Sequence, residues 1–192
     1  MALNPFTRRD NPYLLVVSMT GVKMGDRLVQ IGCAHGGRLA AVAGKVGLSG
    51  RAVLIAPDEA SAARARKAAS DAGVLVEIDV APMTRLPVED GAFDLAVVDE
   101  TGGLLATMRP EDRVATIREV ARALRPGGRV VIIGAAARGG FGALLTRAQS
   151  GPPFVASGQA TLALEADGFK SARLLAEREG LVFVEGIKPR NG

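Results

Sequence analysis

Apolar blocks alternate with amphipathic stretches along this chain, in the order typical of an α/β protein. The strand patterns are Arg27–Ile31, Ala52–Ala56, Leu75–Ile78, Phe93–Val98 and Val130–Ile133. The helix patterns are Gly37–Val46, Pro57 to Gly73, Pro110 to Pro126, Gly139–Gln149 and Ser157 to Gly168. Apolar runs without alternation are typical of strands buried on both faces. The pattern therefore predicts a parallel sheet covered by helices on both sides.

Two further strand patterns lie near the C-terminus with no helix pattern between them. They are Ala172–Leu175 and Leu181–Val184, joined by Glu177-Arg-Glu-Gly180. A short connection that ends in glycine is typical of a hairpin. The chain is therefore predicted to end in two antiparallel strands.

A glycine-containing turn joins the first strand to the first helix, and it carries the main functional signal. Gly32, Gly36 and Gly37 lack the Cβ that would obstruct a sharp turn or the close approach of a ligand. The helix that follows presents free N–H groups and the positive end of its dipole, a seat for an anionic or polar ligand. We therefore expect a nucleotide-like cofactor over this turn.

The composition is that of an ordinary globular domain. The chain has 192 residues, of which 48% are hydrophobic and 23% charged, enough for one domain with a full core. A single cysteine, Cys33, excludes an internal disulfide and fits a reducing compartment. No secretory signal is visible, and no apolar run approaches the ~20 residues that span a bilayer. We expect a soluble cytoplasmic protein.

The positive charge has two interpretations. A net charge of +4 and a pI of about 9.7 permit an acidic partner such as RNA. The chain has one tyrosine and no tryptophan for base stacking, and its basic residues do not cluster with aromatics. Solvated helix faces are therefore favoured over nucleic-acid binding for the helical arginines, which are Arg64, Arg66, Arg113, Arg118, Arg122 and Arg125.

Four segments together resemble the class I S-adenosylmethionine-dependent methyltransferases of the type 11 kind. They are Gly25-Asp-Arg-Leu-Val-Gln-Ile-Gly-Cys-Ala-His-Gly36, Leu86-Pro87 with Asp90-Gly-Ala-Phe-Asp94, Arg118-Glu-Val-Ala-Arg-Ala-Leu-Arg-Pro-Gly-Gly-Arg-Val-Val-Ile132, and Ala166-Asp-Gly-Phe-Lys170. The resemblance implies a doubly wound, Rossmann-like sheet of seven strands with an antiparallel last strand. It also divides the chain into an N-terminal extension or cap, residues 1–20, and a methyltransferase-like domain, residues 21–187.

The resemblance implies S-adenosylmethionine as cofactor and S-adenosylhomocysteine as product, bound where the strand order reverses. Ribose is expected toward Ala56–Asp58, adenine beside Pro82–Thr84, and the methionine end near His35 and Asp99–Thr101. No metal site is expected. The cofactor-binding residues carried over are Gln30, Gly32, Cys33, Ala34, His35, Gly36, Ala56, Pro57, Asp58, Pro82, Met83, Thr84 and Asp99.

Four cofactor positions depart from the family pattern. Gln30 stands where the family has an acidic residue at the end of the first strand, and Ala34 stands where it has the middle glycine of the turn. Ala56 replaces the acidic residue that binds the ribose hydroxyls, and Pro82 replaces the acidic residue near adenine. A three-residue shift would let Asp79 serve near adenine, and Asp58 is the substitute nearest the ribose. A lost charged hydrogen bond costs ~1.5–3 kcal/mol, or roughly tenfold to a hundredfold in affinity. We therefore expect cofactor binding weaker than is typical of the family.

Three residues are candidates for catalysis. His35 is the one histidine of the chain, and it serves either as an acid–base group or as a filler of the turn. Asp99 and Glu100 follow the fourth strand, where an acceptor would approach. They either deprotonate or orient it, or simply end the strand. Methyl transfer depends mainly on in-line positioning, so it does not require a base. Cys33 is expected to be a small buried residue and not a nucleophile.

The sequence leaves three functions open. The first is methyl transfer to a small-molecule acceptor, and the second is a binding or scaffold protein that keeps the fold without catalysis. The third and least favoured is an NAD-dependent oxidoreductase, because Gly32-x-Ala-x-x-Gly37 imitates the dinucleotide fingerprint but no acid ends the second strand. Arg138 through Arg147 form either a movable substrate lid, favoured by Gly139, Gly140 and Gly142, or an ordinary connecting helix. The pocket is either open or completed by a second copy of the chain, as in a homodimer.

Overall fold

A computed structural model describes residues 12–136 and 154–190, which build a seven-stranded sheet with flanking helices. The strands are β1 (Arg27–Ile31), β2 (Arg51–Ala56), β3 (Glu77–Val80), β4 (Phe93–Asp99), β5 (Leu124–Ala135), β6 (Lys170–Arg178) and β7 (Leu181–Ile187). The helices are α1 (Leu14–Thr20), α2 (Gly36–Val46), α3 (Glu59–Ala72), α4 (Pro110–Ala123) and α5 (Gln159–Ala166).

The sheet has the strand order β3-β2-β1-β4-β5-β7-β6. Strands β1 to β5 pair in parallel, whereas β7 runs antiparallel to both β5 and β6. The predicted doubly wound sheet with an antiparallel last strand is thereby confirmed. The strand order reverses between β1 and β4, and the carboxyl ends of these strands flank the crevice where such sheets bind ligands.

Alternate residues of the central strands point to opposite faces of the sheet, as the strand period requires. Val29 and Ile31 of β1 belong to the core cluster that includes α4 and α5, whereas Leu28 belongs to the cluster that includes α1 and α2. Leu54 of β2 packs with Ala65 of α3 in a third cluster. The sheet is therefore covered on both faces, as predicted.

Local signals set the ends of two helices. The Asp58 side chain caps α3 by accepting the N–H of Ser61 at 2.7 Å, and Gly73 ends the helix in the left-handed region at φ 65°. Pro110 occupies the first turn of α4, where its missing N–H has no helical partner to lose. Both starts and the stop at Gly73 follow the predicted pattern.

Several predicted boundaries are wrong, and three of them have a physical explanation. The third strand begins at Glu77, two residues late, because Leu75 is 77% exposed and precedes the pairing with β2. Helix α4 ends at Ala123, before Pro126, because the next residue already pairs with β4. Ser157 does not cap α5. Its hydroxyl donates to the Phe154 carbonyl, and Gly158 takes the cap position.

The predicted C-terminal hairpin is confirmed. Strands β6 and β7 pair up to Arg178 and Leu181, so Glu179 and Gly180 form a two-residue turn. Both have positive φ, 55° and 74°, which matches the twist of the flanking strands in a hairpin of this length.

Helix α1 packs beside α2 and is fixed at its C-terminal end by Arg129, whose Nη2 donates to the Met19 carbonyl at 3.1 Å. Val16 of α1 is buried in the core cluster shared with α2. None of the helices in residues 12–136 and 154–190 has both the length and the apolar character that a bilayer crossing requires.

Candidate functional site

A cavity of about 530 Å³ opens at the carboxyl ends of the central strands. Its volume lies within the ~300–1,000 Å³ typical of small-molecule sites. Three segments supply its walls: the turn after β1, the start of α3, and the loop after β4. The described lining residues are Gly32, Cys33, Ala34, Pro57, Asp58, Ser61, Arg64, Asp99, Gly102, Gly103, Leu104 and Thr107.

Gly32 makes the sharp turn that the sequence predicted. Its φ is +76°, a region that residues with a Cβ rarely adopt, and its N–H donates to the Ile55 carbonyl at 2.9 Å. A Cβ built on Gly32 would lie 2.8 Å from Leu104 Cδ2. The missing side chain therefore makes room for Leu104, which covers the turn from the loop after β4.

Gly36 and Gly37 allow close packing around α2, and their approach to a ligand stays a prediction. A Cβ on Gly36 would lie 2.6 Å from the Ala68 Cβ of α3, and one on Gly37 would overlap the Tyr13 hydroxyl. Both glycines lie within α2 and lack positive φ. Their small size brings α3 and Tyr13 close to α2.

Asp99 is bonded to the two residues that precede α2. The Asp99 Oδ2 accepts the N–H groups of Ala34 and His35 at 2.9 and 3.3 Å. The side chain is 3% exposed and reaches the turn from the end of β4. The carboxylate that the sequence placed beside the methionine end of a cofactor thus holds the turn itself.

Gln30 also contacts the turn, from its other side. The side chain is 2% exposed, and its Nε2 donates to the Gly32 carbonyl at 3.0 Å. A carboxylate at this position has no hydrogen to donate to that carbonyl. Gln30 therefore supports the turn through Gly32 and is absent from the described cavity wall.

The Glu100 side chain accepts hydrogen bonds from the loop after β4. Its Oε1 accepts the N–H of Ala106 at 3.0 Å, and its Oε2 accepts that of Leu105. Burial raises the pKa of this carboxyl, while its backbone hydrogen bonds and Arg113 act in the opposite direction. These contacts favour a role in shaping the loop and leave Glu100 outside the described cavity wall.

Cys33 is buried, as expected, at 2% exposure. Burial raises the pKa of its thiol to about 11, and the negative charge of Asp99 adds to the effect. The thiolate is the reactive form, so the group is unreactive near neutral pH.

Arg64 lines the cavity, although the sequence favours a solvated helix face for it. Its Nη1 donates to the Cys33 carbonyl at 2.6 Å. Asp58, Ser61 and Arg64 recur every three residues, so they share one face of α3. That spacing beside the glycine turn was the available signal.

The segment after β2 meets the cavity at Pro57 and Asp58, both of which are exposed. Ala56 is fully buried at the end of β2 and is absent from the described wall. Backbone hydrogen bonds at the start of α3 lower the pKa of Asp58, so its carboxylate is charged at neutral pH. Of these three residues, Asp58 offers the acceptor oxygens to a ligand.

Pro82, Met83 and Thr84 follow β3 and lie outside the described cavity wall. Pro82 is exposed, and Met83 is buried in the core cluster on the α4 side of the sheet. Asp79, the alternative acid, lies within β3 opposite Ile55. The contact of this segment with adenine stays a prediction.

His35 is exposed at the start of α2, and its ring packs edge-on against Tyr13 with 5.5 Å between ring centroids. It is absent from the described cavity wall. The predicted lid, Arg138 through Arg147 with Gly139, Gly140 and Gly142, lies outside the described residues. In the described part of the chain, no group of three histidine, cysteine or acidic side chains is arranged to bind a metal ion.

Comparison with known proteins identifies what this chain resembles. A family model described as a methyltransferase domain matches residues 28–128, just over half of the chain. Norajmaline N-methyltransferase from Rauvolfia serpentina is 30% identical over 116 residues, which are 60% of this chain and 38% of that protein. Methyltransferase GfsG from Streptomyces halstedii is 30% identical over 118 residues, which are 62% of this chain and 41% of that protein.

Solved structures show the same fold. A SAM-dependent methyltransferase from Aquifex aeolicus superposes with a TM-score of 0.72 at 19% identity, over 92% of this chain and 89% of that one. The matched part of this chain spans about two fifths of the length of the two relatives above.

Proposed function

This chain belongs to the methyltransferase-domain family and has the class I fold, and from that premise we propose that it transfers a methyl group from S-adenosylmethionine to a small-molecule acceptor. The observation that carries the proposal is the cavity of about 530 Å³ at the reversal of strand order, walled by the glycine turn after β1. One relative is named for norajmaline as its methyl acceptor, which favours a small molecule here.

The residues around the cavity fit the cofactor. Gly32 and Gly102 bring backbone to the wall without side chains, and Pro57 supplies apolar surface for a base and a ribose. Asp58 is positioned to accept hydrogen bonds from ribose hydroxyls, in place of the acid that Ala56 lacks. When bound, the cofactor supplies an electrophilic methyl group on a sulfonium.

The chain's own contribution to the reaction is positioning, since none of the candidate bases is available for proton transfer in the described cavity wall. The Asp99 carboxylate accepts three backbone N–H groups and the Thr101 hydroxyl, and the Glu100 carboxylate accepts two backbone N–H groups. The raised pKa keeps the Cys33 thiol protonated. In-line alignment of an acceptor that is already nucleophilic supplies the required rate effect without a protein base.

A binding or scaffold function is the second candidate, and Leu104 favours it. The side chain reaches the point above Gly32 where a ligand would approach the turn. A protein that has lost catalysis would show this filled turn and no saturable affinity for S-adenosylhomocysteine.

Calorimetric titration of the full chain with S-adenosylmethionine, S-adenosylhomocysteine and NAD tests the proposal. We expect saturable binding of both adenosyl compounds and none of NAD. Asp58→Asn keeps a good helix cap and removes the charge, so it should weaken binding about tenfold. Glu59→Gln is the matched control, because Glu59 is the exposed neighbour that pairs with Arg66 outside the cavity wall.

Each outcome of this titration decides a separate point. Absence of binding by either adenosyl compound would contradict the proposed function and favour the scaffold. Tighter binding of NAD than of the adenosyl compounds would favour the NAD-dependent oxidoreductase function. Equal affinities in Asp58→Asn and wild type would show that Asp58 does not hold the ribose.

A further inference from the structure

A polar network joins two walls of the cavity, the turn after β1 and the loop after β4. The Arg38 Nη1 donates to the Thr101 hydroxyl at 2.8 Å, and that hydroxyl donates to the Asp99 Oδ1 at 2.5 Å. Arg38 Nη1 itself lies 3.8 Å from Asp99 Oδ1. The other Asp99 oxygen accepts N–H groups of the turn, so a single carboxylate is bonded to both walls.

We propose that Arg38, Asp99 and Thr101 form a clamp that sets the position of the glycine turn for ligand binding, with Arg38 and Asp99 as positioning residues. Arg38 is absent from the described cavity wall, and both Asp99 carboxylate oxygens accept hydrogen bonds from protein donors. The clamp therefore acts on a ligand through the position of the turn. The inference rests on the proposed function for the identity of the ligand, and on geometry for the clamp itself.

The clamp acts on a narrow gap. A Cβ on Gly102 would lie 3.1 Å from the Ala34 Cβ, so the two walls come within a methyl group of touching. A small displacement of either wall therefore changes the spacing between two lining segments of the cavity. Asp99 is buried, and a buried carboxylate with several hydrogen bonds resists displacement because a movement would break those bonds together.

Three variants and one control test the clamp in the full chain. The variants are Asp99→Asn, Arg38→Met and the double substitution. The control, Asp94→Asn, removes a carboxylate at the opposite end of β4 that also accepts a backbone N–H, from Arg27 at 2.8 Å. Two quantities are measured: amide hydrogen exchange at Ala34 and His35 by NMR without ligand, and affinity for S-adenosylhomocysteine by calorimetry.

We expect Asp99→Asn to accelerate exchange at Ala34 and His35 at least tenfold and to weaken S-adenosylhomocysteine binding about tenfold to a hundredfold. Arg38→Met should have a smaller effect in the same direction. The double variant should be no worse than Asp99→Asn, because both substitutions open one network. Asp94→Asn should leave exchange and affinity within about twofold, even where the melting temperature falls.

Unchanged exchange at the turn in Asp99→Asn would overturn the clamp, and so would effects of the two single variants that simply multiply. Should Asp99→Asn fail to fold, Arg38→Met decides alone, since that side chain is 20% exposed and its loss is tolerable. Unchanged exchange and affinity in Arg38→Met would then refute the inference. If amide exchange at Ala34 and His35 accelerates in the clamp variants while the wild-type protein binds no adenosyl compound, the proposed function is refuted and the clamp is supported.

Discussion

Substituting Gly32 by alanine tests whether the turn excludes a side chain for the reasons the structure gives. The substitution adds one methyl group to a residue with φ +76°. It also places that methyl group 2.8 Å from Leu104 Cδ2, closer than two carbon atoms can approach. Two separate penalties are therefore expected, one from the backbone and one from the neighbour.

The magnitude of each penalty follows from its cause. Holding an L-residue in the left-handed region costs ~1–2 kcal/mol. Leu104 Cδ2 is the end of a flexible side chain, so its displacement costs only the ~0.5–1.5 kcal/mol of a strained rotamer. Gly32→Ala should thus lower the free energy of unfolding by about 1.5–3.5 kcal/mol. Gly73→Ala is the control for the backbone alone, because Gly73 has φ +65° and nothing within 4 Å of a built Cβ.

Urea denaturation of four variants separates the two penalties. The set is Gly32→Ala, Gly73→Ala, Leu104→Ala, and Gly32→Ala combined with Leu104→Ala. Gly73→Ala should lose only ~1–2 kcal/mol. Truncation of Leu104 should relieve the contact, so the double variant should be more stable than the sum of its single variants predicts, by about 1 kcal/mol.

Two results would refute this reasoning. Equal losses in Gly32→Ala and Gly73→Ala would show that the Leu104 contact costs nothing. Strict additivity of Gly32→Ala and Leu104→Ala would show that the two residues do not meet in solution.

Two further predictions concern stability. Arg122 donates to the Leu86 and Val88 carbonyls at 2.9 and 2.8 Å, so Arg122→Gln should lower the free energy of unfolding, measured by urea denaturation, by ~1.5–3 kcal/mol. The control, Arg66→Gln, removes an exposed ion pair and should change that free energy by no more than ~0.5 kcal/mol. Equal effects of the two substitutions would contradict the prediction. Because burial raises the pKa of the Cys33 thiol to about 11, the folded state keeps a proton that the unfolded state loses above about pH 9. The free energy of unfolding should therefore fall between pH 9 and 11 more steeply in wild type than in Cys33→Ala, as measured by denaturation at each pH; parallel curves would mean that the thiol is accessible.

Signals that act within a few residues allowed the fold to be predicted. Gly73 ends α3 because only its own backbone has to adopt positive φ, and Glu179-Gly180 closes a hairpin for the same local reason. The resemblance to a known family then supplied the doubly wound, seven-stranded topology, which the strand pattern alone leaves open. Boundaries failed where pairing between strands overrode local preference, as at Leu75 and Pro126.

The candidate site was predictable as a place and not as a set of contacts. The turn at Gly32 was correctly located because glycine there is a local requirement. The contact of Asp99 with Ala34 spans 65 positions, and that of Arg64 with Cys33 spans 31. The residue types of Asp99 and Arg64 do not distinguish them from solvated acidic and basic side chains. Their contacts exist only after the sheet and α3 have assembled.

Every described residue of the cavity wall falls in one continuous stretch, from Gly32 to Thr107. Strands β5, β6 and β7 complete the sheet and support the wall from behind, as when the Ile133 carbonyl accepts the Glu100 N–H at 2.8 Å. Because domains are synthesised from the N-terminus, that stretch leaves the ribosome before its supports do. Recombination within the last third of the gene would exchange the supports and leave every described residue of the cavity wall unchanged. The strands that support the cavity could thus be replaced without altering the described residues that line it.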